Sequence, residues 1–241
     1  MTPARDLAVA TFLADVTAEL AGVGDEATLT LLAARRAAEL VGGDGSAVVA
    51  RRRRGRLETV AATDEVALLD EELQQELDDG PLLTVLRDAT GLRIDDTMRD
   101  GRWPVWGGRA AELGPRSVLC VRLDPIGLHE RHGPLGVLVV HGLRVDSFDA
   151  EDLEVLLLLA VHVSVTWAAL RRTVTLADAA ESRHLVGVAQ GMLAAAGVPV
   201  ESSFALLQRW ARDTNVRVRD LAERIIATGG VPDELDPRDL R

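Results

Sequence analysis

The chain has 241 residues, 47% of them hydrophobic, and a formal net charge of −11. That length suits one large domain or a larger and a smaller one, and the apolar content excludes a chain disordered throughout. The acidic balance argues against generic attraction to polyanions, and a single cysteine, Cys120, excludes an intramolecular disulfide framework and suits a reducing compartment.

The elements follow in chain order. Residues 5–20, "RDLAVATFLADVTAEL", set Leu7, Phe12, Leu13, Val16 and Leu20 at helical spacing. Acids at Asp6 and Asp15, and no basic stretch before an apolar run, leave no signal-peptide pattern. A second helix over 26–41 stops at Gly42-Gly43. "SAVVARRRRGRLETVAAT" reads as two strands turning at Arg54-Gly55, and its four arginines, 51–54, either guard an exposed edge or touch RNA. Residues 65–88 look helical on both sides of a break at Gly80-Pro81. "GLRIDD" is a short strand, and "MRDGRWPVWGGRAAELG" is a loop followed by a short helix. Strands at 116–123 and 136–143 flank a polar loop whose His129 and His132, three apart, lack a third metal ligand.

A long helix starts after Ser147 or Asp149, either of which suits an N-cap, with acids in the first turn. No stop signal interrupts residues 152–196, a length of about 65 Å at about 1.5 Å per residue. Glu154 and His162 break its greasiest stretch, so no membrane span is expected. Val163, Trp167, Leu170, Val174 and Ala177 are spaced 4, 3, 4 and 3, which predicts a parallel coiled-coil seam between two copies of the chain. The alternative is a stripe that packs on the chain's own sheet.

Two shorter amphipathic helices follow Gly197. Residues 199–214 carry Pro199 in the first turn and present Phe204, Leu207 and Ala211 on one face, with Leu206 and Trp210 beside them. Residues 217–230 present Val218, Leu221, Ala222, Ile225 and Ile226 and stop at Gly229-Gly230. With the end of the long helix they make a three-helix bundle. Gly187 and Gly191 each cost that long helix about 1 kcal/mol relative to alanine. Four residues apart, they form a ridge with Ala195 that lets a neighbouring helix approach closely, the alternative being contact with a ligand or nucleic acid. The order αα-ββ-α-β-α-ββ-α predicts an α+β fold: an antiparallel sheet flanked by helices, joined by a long helix to an all-α bundle. Residues 174–230 hold six arginines and six acids and 231–241 hold two and four, so residues 1–173 carry the remaining −9.

The segment "ESRHLVGVAQGMLAAAGVPVESSFALLQRWARDTNVRVRDLAERIIATG" resembles an ANTAR domain, the RNA-binding output module of transcription antiterminators. The match rests on Arg183, the Ala189-x-Gly191 pair, Phe204-Ala205-Leu206-Leu207, Asp213-Thr214-Asn215 and Leu221-Ala222. The part before it resembles a GAF domain in "GRLETVAATDE", "DDGPLLTVLRD", "DDTMRDGRWPVW", "LGPRSVLCVRL" and "PLGVLVVHGL". The pairing implies a GAF sensor domain with its connector helix over 1–173, an ANTAR domain over 174–230 and an acidic tail over 231–241. It implies a cytoplasmic, non-enzymatic, homodimeric regulator of transcription antitermination, in which an unknown small-molecule or protein signal controls binding to RNA hairpin loops overlapping a terminator. No cofactor, metal or membrane is expected.

The candidate RNA-binding residues are Arg183, Gln190, Arg209, Arg212, Thr214, Asn215, Arg217 and Arg219. Guanidiniums grip phosphates bidentately or stack on unpaired bases. The alternatives are a salt-bridged face with Asp213, Asp220 and Glu223, and, for Asn215, a cap on the last helix. Gln190 stands where the family usually carries lysine and Val188 where it carries glutamine. The rival reading is therefore a ligand-sensing or protein-interaction regulator whose ANTAR part has lost RNA binding. The GAF resemblance further implies a small-molecule pocket, with Asp95, Asp96, Trp103, Trp106 and Cys120 as candidate lining, although the tryptophans and the cysteine also suit a sealed core.

Overall fold

The computed structural model describes residues 3–124 and 133–230; His129, His132 and the acidic tail lie outside them. Two helices open the chain, α1 (Pro3–Ala21) and α2 (Glu26–Val41), followed by strands β1 (Gly45–Arg51) and β2 (Leu57–Ala62). Then come α3 (Glu65–Leu77), α4 (Pro81–Arg87), β3 (Gly91–Ile94), α5 (Pro104–Leu113), β4 (Ser117–Leu123) and β5 (Gly136–Gly142). The remainder is α6 (Ala150–Ala195), α7 (Val200–Asp213) and α8 (Val218–Thr228). The chain divides into two compact units, Met1–Arg171 and Arg172–Arg241.

In the first unit five antiparallel strands lie in the order β2-β1-β5-β4-β3. Strand side chains alternate between faces, and here both faces are covered. Val48, Ala50, Leu119, Val121, Leu123, Leu138 and Val140 join a core with α1, α2 and the first half of α6. Val49, Val118, Cys120, Val137 and Val139 join a second core with α3, α4 and α5. Burial on both sides explains why β4 and β5 read as near-continuous apolar runs.

The helix ends follow local chemistry. Asp25 and Asp64 cap α2 and α3 by accepting from the backbone N–H of Thr28 and Ala67. Proline opens α4 and α5. Of the two candidate caps of α6, Asp149 takes the role: it accepts from the Asp152 N–H while the Asp152 carboxylate accepts from the Asp149 N–H, both at 2.9 Å. The Ser147 hydroxyl donates instead to the Arg144 carbonyl.

Helix α6 corrects the predicted seam. Val163 and Trp167 are fully buried in the first unit's core and Leu170 packs against it, so this half of the stripe meets the chain's own sheet layer. Trp167 Nε1 donates to Glu26 Oε1 at 2.6 Å, and the Arg171 guanidinium lies 4.4 Å from the Trp167 ring centroid. The spacing 4, 3, 4, 3 describes a core-facing stripe as well as a coiled-coil seam. The apolar residues that remain exposed on this part of α6 are Leu158, Val161 and Val165, each close to half exposed. By length and hydropathy alone α6 passes as a membrane-crossing helix. Its apolar content is accounted for by the buried Val155, Leu156, Leu159, Ala160, Val163 and Trp167.

Candidate nucleic-acid interface

The second unit is a three-helix bundle built on Ala189, Leu193, Val198, Leu206, Leu207, Trp210, Ala211, Leu221, Ala222 and Ile225. Each of its helices ends in the same way. The N–H groups of Gly197 and Val198 return to the carbonyls of Ala194 and Leu193, those of Asn215 and Val216 to Arg212 and Ala211, and those of Gly229 and Gly230 to Ile226 and Ile225. This pair of hydrogen bonds closes a helix through one left-handed residue. Asn215 is that residue after α7, with φ of 54°, a conformation asparagine tolerates better than most. Its backbone role is therefore to end α7. The cap position of α8 belongs to Arg217, and among the described residues no side chain caps the first turn of that helix.

Two expectations about the bundle are overturned. Gly187 and Gly191 are exposed, and a Cβ at either would meet nothing within 4 Å, so among the described residues no helix packs on the ridge. The buried face of α6 here runs through Ala189 and Leu193, and residues two positions away on a helix turn by about 200° to the opposite side. Phe204 is likewise exposed at 44%, while Ser203 beside it is buried.

The eight candidate RNA residues separate into distinct groups. Gln190 is half-buried and its Nε2 donates to Ser203 Oγ at 3.0 Å, tying α6 to α7. The Thr214 hydroxyl donates to the Trp210 carbonyl at 2.7 Å. Arg219 bonds Glu223 at 3.0 Å and Glu181 at 2.9 Å, which links α8 to α6. Arg183 is exposed, its Nε on the Ala179 carbonyl one turn back, and Arg209 is exposed on α7. Arg212, Asn215 and Arg217 stand exposed around the α7–α8 turn. Among the described residues no carboxylate lies within ion-pair reach of Arg212 or Arg217. The arrangement offers two open guanidiniums and an amide beside an uncapped helix start, a combination suited to anions.

The candidate pocket residues fall elsewhere. Trp106 and Cys120 are fully buried and Trp103 nearly so, all in the second core of the first unit. The two indoles meet edge to face with centroids 6.2 Å apart. Asp95 is exposed and paired with Arg93 at 2.7 Å, and Asp96 pairs with Arg116 at 3.0 Å. These residues line neither of the two clefts described for this unit.

Beside the tryptophans lie three polar groups that sequence reading missed: Asp70, Glu71 and Gln74 of α3, all buried. Trp106 Nε1 donates to Asp70 at 3.0 Å. Gln74 Nε2 donates to Glu71 at 3.2 Å and to Asp70 at 3.4 Å, while Gln74 Oε1 accepts from the Leu82 N–H. Burial pushes the Asp70 carboxyl up to about 7 against the pull of its two donors. Burial and then the neighbouring Asp70 push Glu71 well above the ordinary range. The sequence places "DEELQQ" in a helical stretch and carries no signal that its acids are buried.

A GAF domain model matches residues 24–168 and an ANTAR domain model matches residues 175–226. No curated protein matches the chain. Among solved structures, the GAF domain of a phosphoenolpyruvate-protein phosphotransferase from Acinetobacter is similar at 14% identity and a TM-score of 0.52, covering 71% of this chain and 97% of that one. The GAF domain of the Coxiella burnetii phosphoenolpyruvate-protein phosphotransferase is 17% identical with a TM-score of 0.51, covering 69% and 96%. The photosensory core module of the Stigmatella aurantiaca phytochrome is 12% identical with a TM-score of 0.58; the match covers 85% of this chain and 45% of that one. At these identities the likeness is one of fold.

Proposed function

We propose, for a chain that belongs to the GAF domain family and carries an ANTAR domain behind it, a cytoplasmic, non-catalytic regulator of transcription antitermination. Residues 1–173 act as the sensing part, residues 174–230 as the RNA-binding part and residues 231–241 as a tail. The observation that carries this reading is the open corner of the bundle. Arg212 and Arg217 are exposed beside the uncapped start of α8, with the Asn215 side chain exposed between them. Guanidiniums and helix N-termini hold phosphates, and an exposed amide reads an unpaired base edge. The target is therefore a hairpin loop in nascent RNA. Arg183 and Arg209 extend the contact, whereas Gln190, Thr214 and Arg219 brace the corner from within the bundle.

Two copies of the chain pair through Leu158, Val161 and Val165, the exposed stripe of α6 with spacing 3 and 4. Two heads suit two short hairpin loops. A signal on the sensing part controls them through its differential affinity for two states of the dimer. One observation favours the rival reading of lost RNA binding: the Gln190 amide is engaged with Ser203 and the usual lysine is absent.

Fluorescence anisotropy against a labelled paired-hairpin RNA separates the readings. The proposal predicts tighter binding to the hairpin pair than to an uninterrupted duplex, weakened about tenfold or more in Arg212→Ala/Arg217→Ala. No binding at low salt establishes the rival. Sedimentation tests the pairing: Val161→Glu/Val165→Glu is expected to convert a dimer into a folded monomer, and a wild-type monomer at micromolar concentration contradicts it.

A further inference from the structure

A cleft of about 510 Å³ opens in the first unit between the β1–β2 hairpin, the end of α3 and α4. Its charged lining is Arg51, Arg56, Arg87 and Asp78, three cations against one carboxylate on a chain of net charge −11. Its apolar lining is Leu57, Leu83 and Leu86. Leu83 is buried in the second core, while Leu57 and Leu86 are half-exposed, so the leucines form a floor with open area.

The fold sets these groups in place. A single 3-10 turn at Arg53–Gly55 closes the hairpin through Arg54 in the left-handed region, and the Arg52 N–H returns to the Arg56 carbonyl at 2.7 Å. Arg52 points away into Glu26 and Glu58, which leaves Arg51 and Arg56 on the cleft side. Gly133, with φ of 61°, makes room for the Arg51 guanidinium, because a Cβ there would stand 2.6 Å from Nη1. Arg56 meets Glu58 and Arg87 meets Asp78, both at 3.2 Å and both with widely exposed side chains. Exposed pairs of this kind are weak, so a better acceptor displaces them. Gln75, also in the lining, spends its Nε2 on Thr59 Oγ1 and the Glu71 carbonyl.

We infer that this cleft binds a small organic anion, with its carboxylate, sulfonate or phosphate held by Arg56 and Arg87 and its apolar body on Leu57, Leu83 and Leu86. Arginine's planar fork favours such groups over a point cation, and the leucine floor favours a flat apolar body over a free inorganic ion. The inference deepens the reading of residues 1–173 as the sensing part, since it names the chemistry of the signal.

The test is a fluorescence titration of the full chain with anilinonaphthalene sulfonate. Saturable binding of one probe per chain is expected, weakened at least about tenfold in Arg56→Gln/Arg87→Gln with an unchanged melting temperature. Asp78→Asn removes the one carboxylate of the lining and keeps the left-handed cap, and is expected to tighten binding several-fold with one probe per chain and an unchanged melting temperature, whereas a loosened chain binds the dye without saturation and melts earlier. Naphthalene sulfonate is expected to displace the probe, while inorganic phosphate and naphthalene methanol at the same concentration leave it bound. Unsaturable binding, equal affinity in the arginine variant, or displacement by the neutral alcohol overturns the site. Displacement by phosphate alone overturns the apolar part. Binding to the cleft that leaves RNA affinity unchanged upholds the site and removes the sensing role, so the two readings fail separately.

Discussion

Arginine does different work in the two units. In the first, Arg52 bonds Glu26 at 2.6 Å and Glu58 at 2.9 Å, Arg171 stacks on Trp167 and bonds the same Glu26, and Arg36 joins Glu19 and Glu39. Burial pushes the Glu26 carboxyl up, but the bonds from Arg52, Trp167 and Arg171 outweigh it and hold it below its usual value. In the second unit Arg219 is clamped in a similar way, while Arg212 and Arg217 stand open. Residues 174–230 carry no net charge. What distinguishes the corner is therefore pairing geometry, and a count of charges does not reveal it.

The strongest way to break the comparison is to remove the buried ring on which Arg171 stacks. Trp167→Ala is expected to cost about 3–5 kcal/mol in lost burial and cavity and to strip Arg171 of its stacking surface while leaving its bond to Glu26, which chemical denaturation of the first unit measures. If Trp167 served a seam between chains, its loss would separate dimers and leave the unit's stability nearly unchanged.

A second effect follows from the carboxyls that no arginine reaches. Asp70 is protonated in the folded state up to about pH 7, against 3.8 for an ordinary aspartate. A raised folded value contributes stability that is complete below the ordinary value and is lost as pH rises through 7. The first unit should therefore weaken progressively between about pH 4 and pH 7, by about 4 kcal/mol in all for Asp70. Asp70→Asn/Glu71→Gln is expected to flatten that slope in pH-dependent melts. A slope unchanged by the double variant would show that the acids are ionised throughout.

The smallest effect sharpens the second unit. Gly187 and Gly191 lie in helix with open space around them, so each change to alanine is expected to stabilise the bundle by about 1 kcal/mol. Reduced RNA affinity in the same variants would place the helix backbone in the contact. Destabilisation would restore the close-packing role that the exposed ridge contradicts.

The sequence made element positions legible wherever one residue type has one local solution. Gly42, Gly197 and Gly229 stop helices in the left-handed region, and Pro81 and Pro104 start them. Faces were less legible. The stripe Val163-Trp167-Leu170 fits a seam and a core equally by spacing, and only the sheet beneath it decides. Gly187 and Gly191 share one face, but spacing does not say whether a neighbour or solvent occupies it. Of the eight candidate RNA residues, "RWARDTNVRVR" brought most to one turn. It did not reveal that Arg219 would be spent on Glu181, which lies 38 residues away in sequence, and it left Asn215 open between base reading and capping the wrong helix. The acids of "DEELQQ" carry no sign of burial until Trp106 is set against them by the packing of α3 on α5.

The most direct measurement is the salt dependence of RNA binding for wild type and Arg212→Ala/Arg217→Ala. For single-stranded contacts each phosphate contributes about 0.7 to the slope of log affinity against log salt. The account predicts a slope shallower by about 1.4 in the double variant, with melting unchanged. Equal slopes with full affinity would mean that those two guanidiniums never meet the phosphates, and the open corner would lose its role.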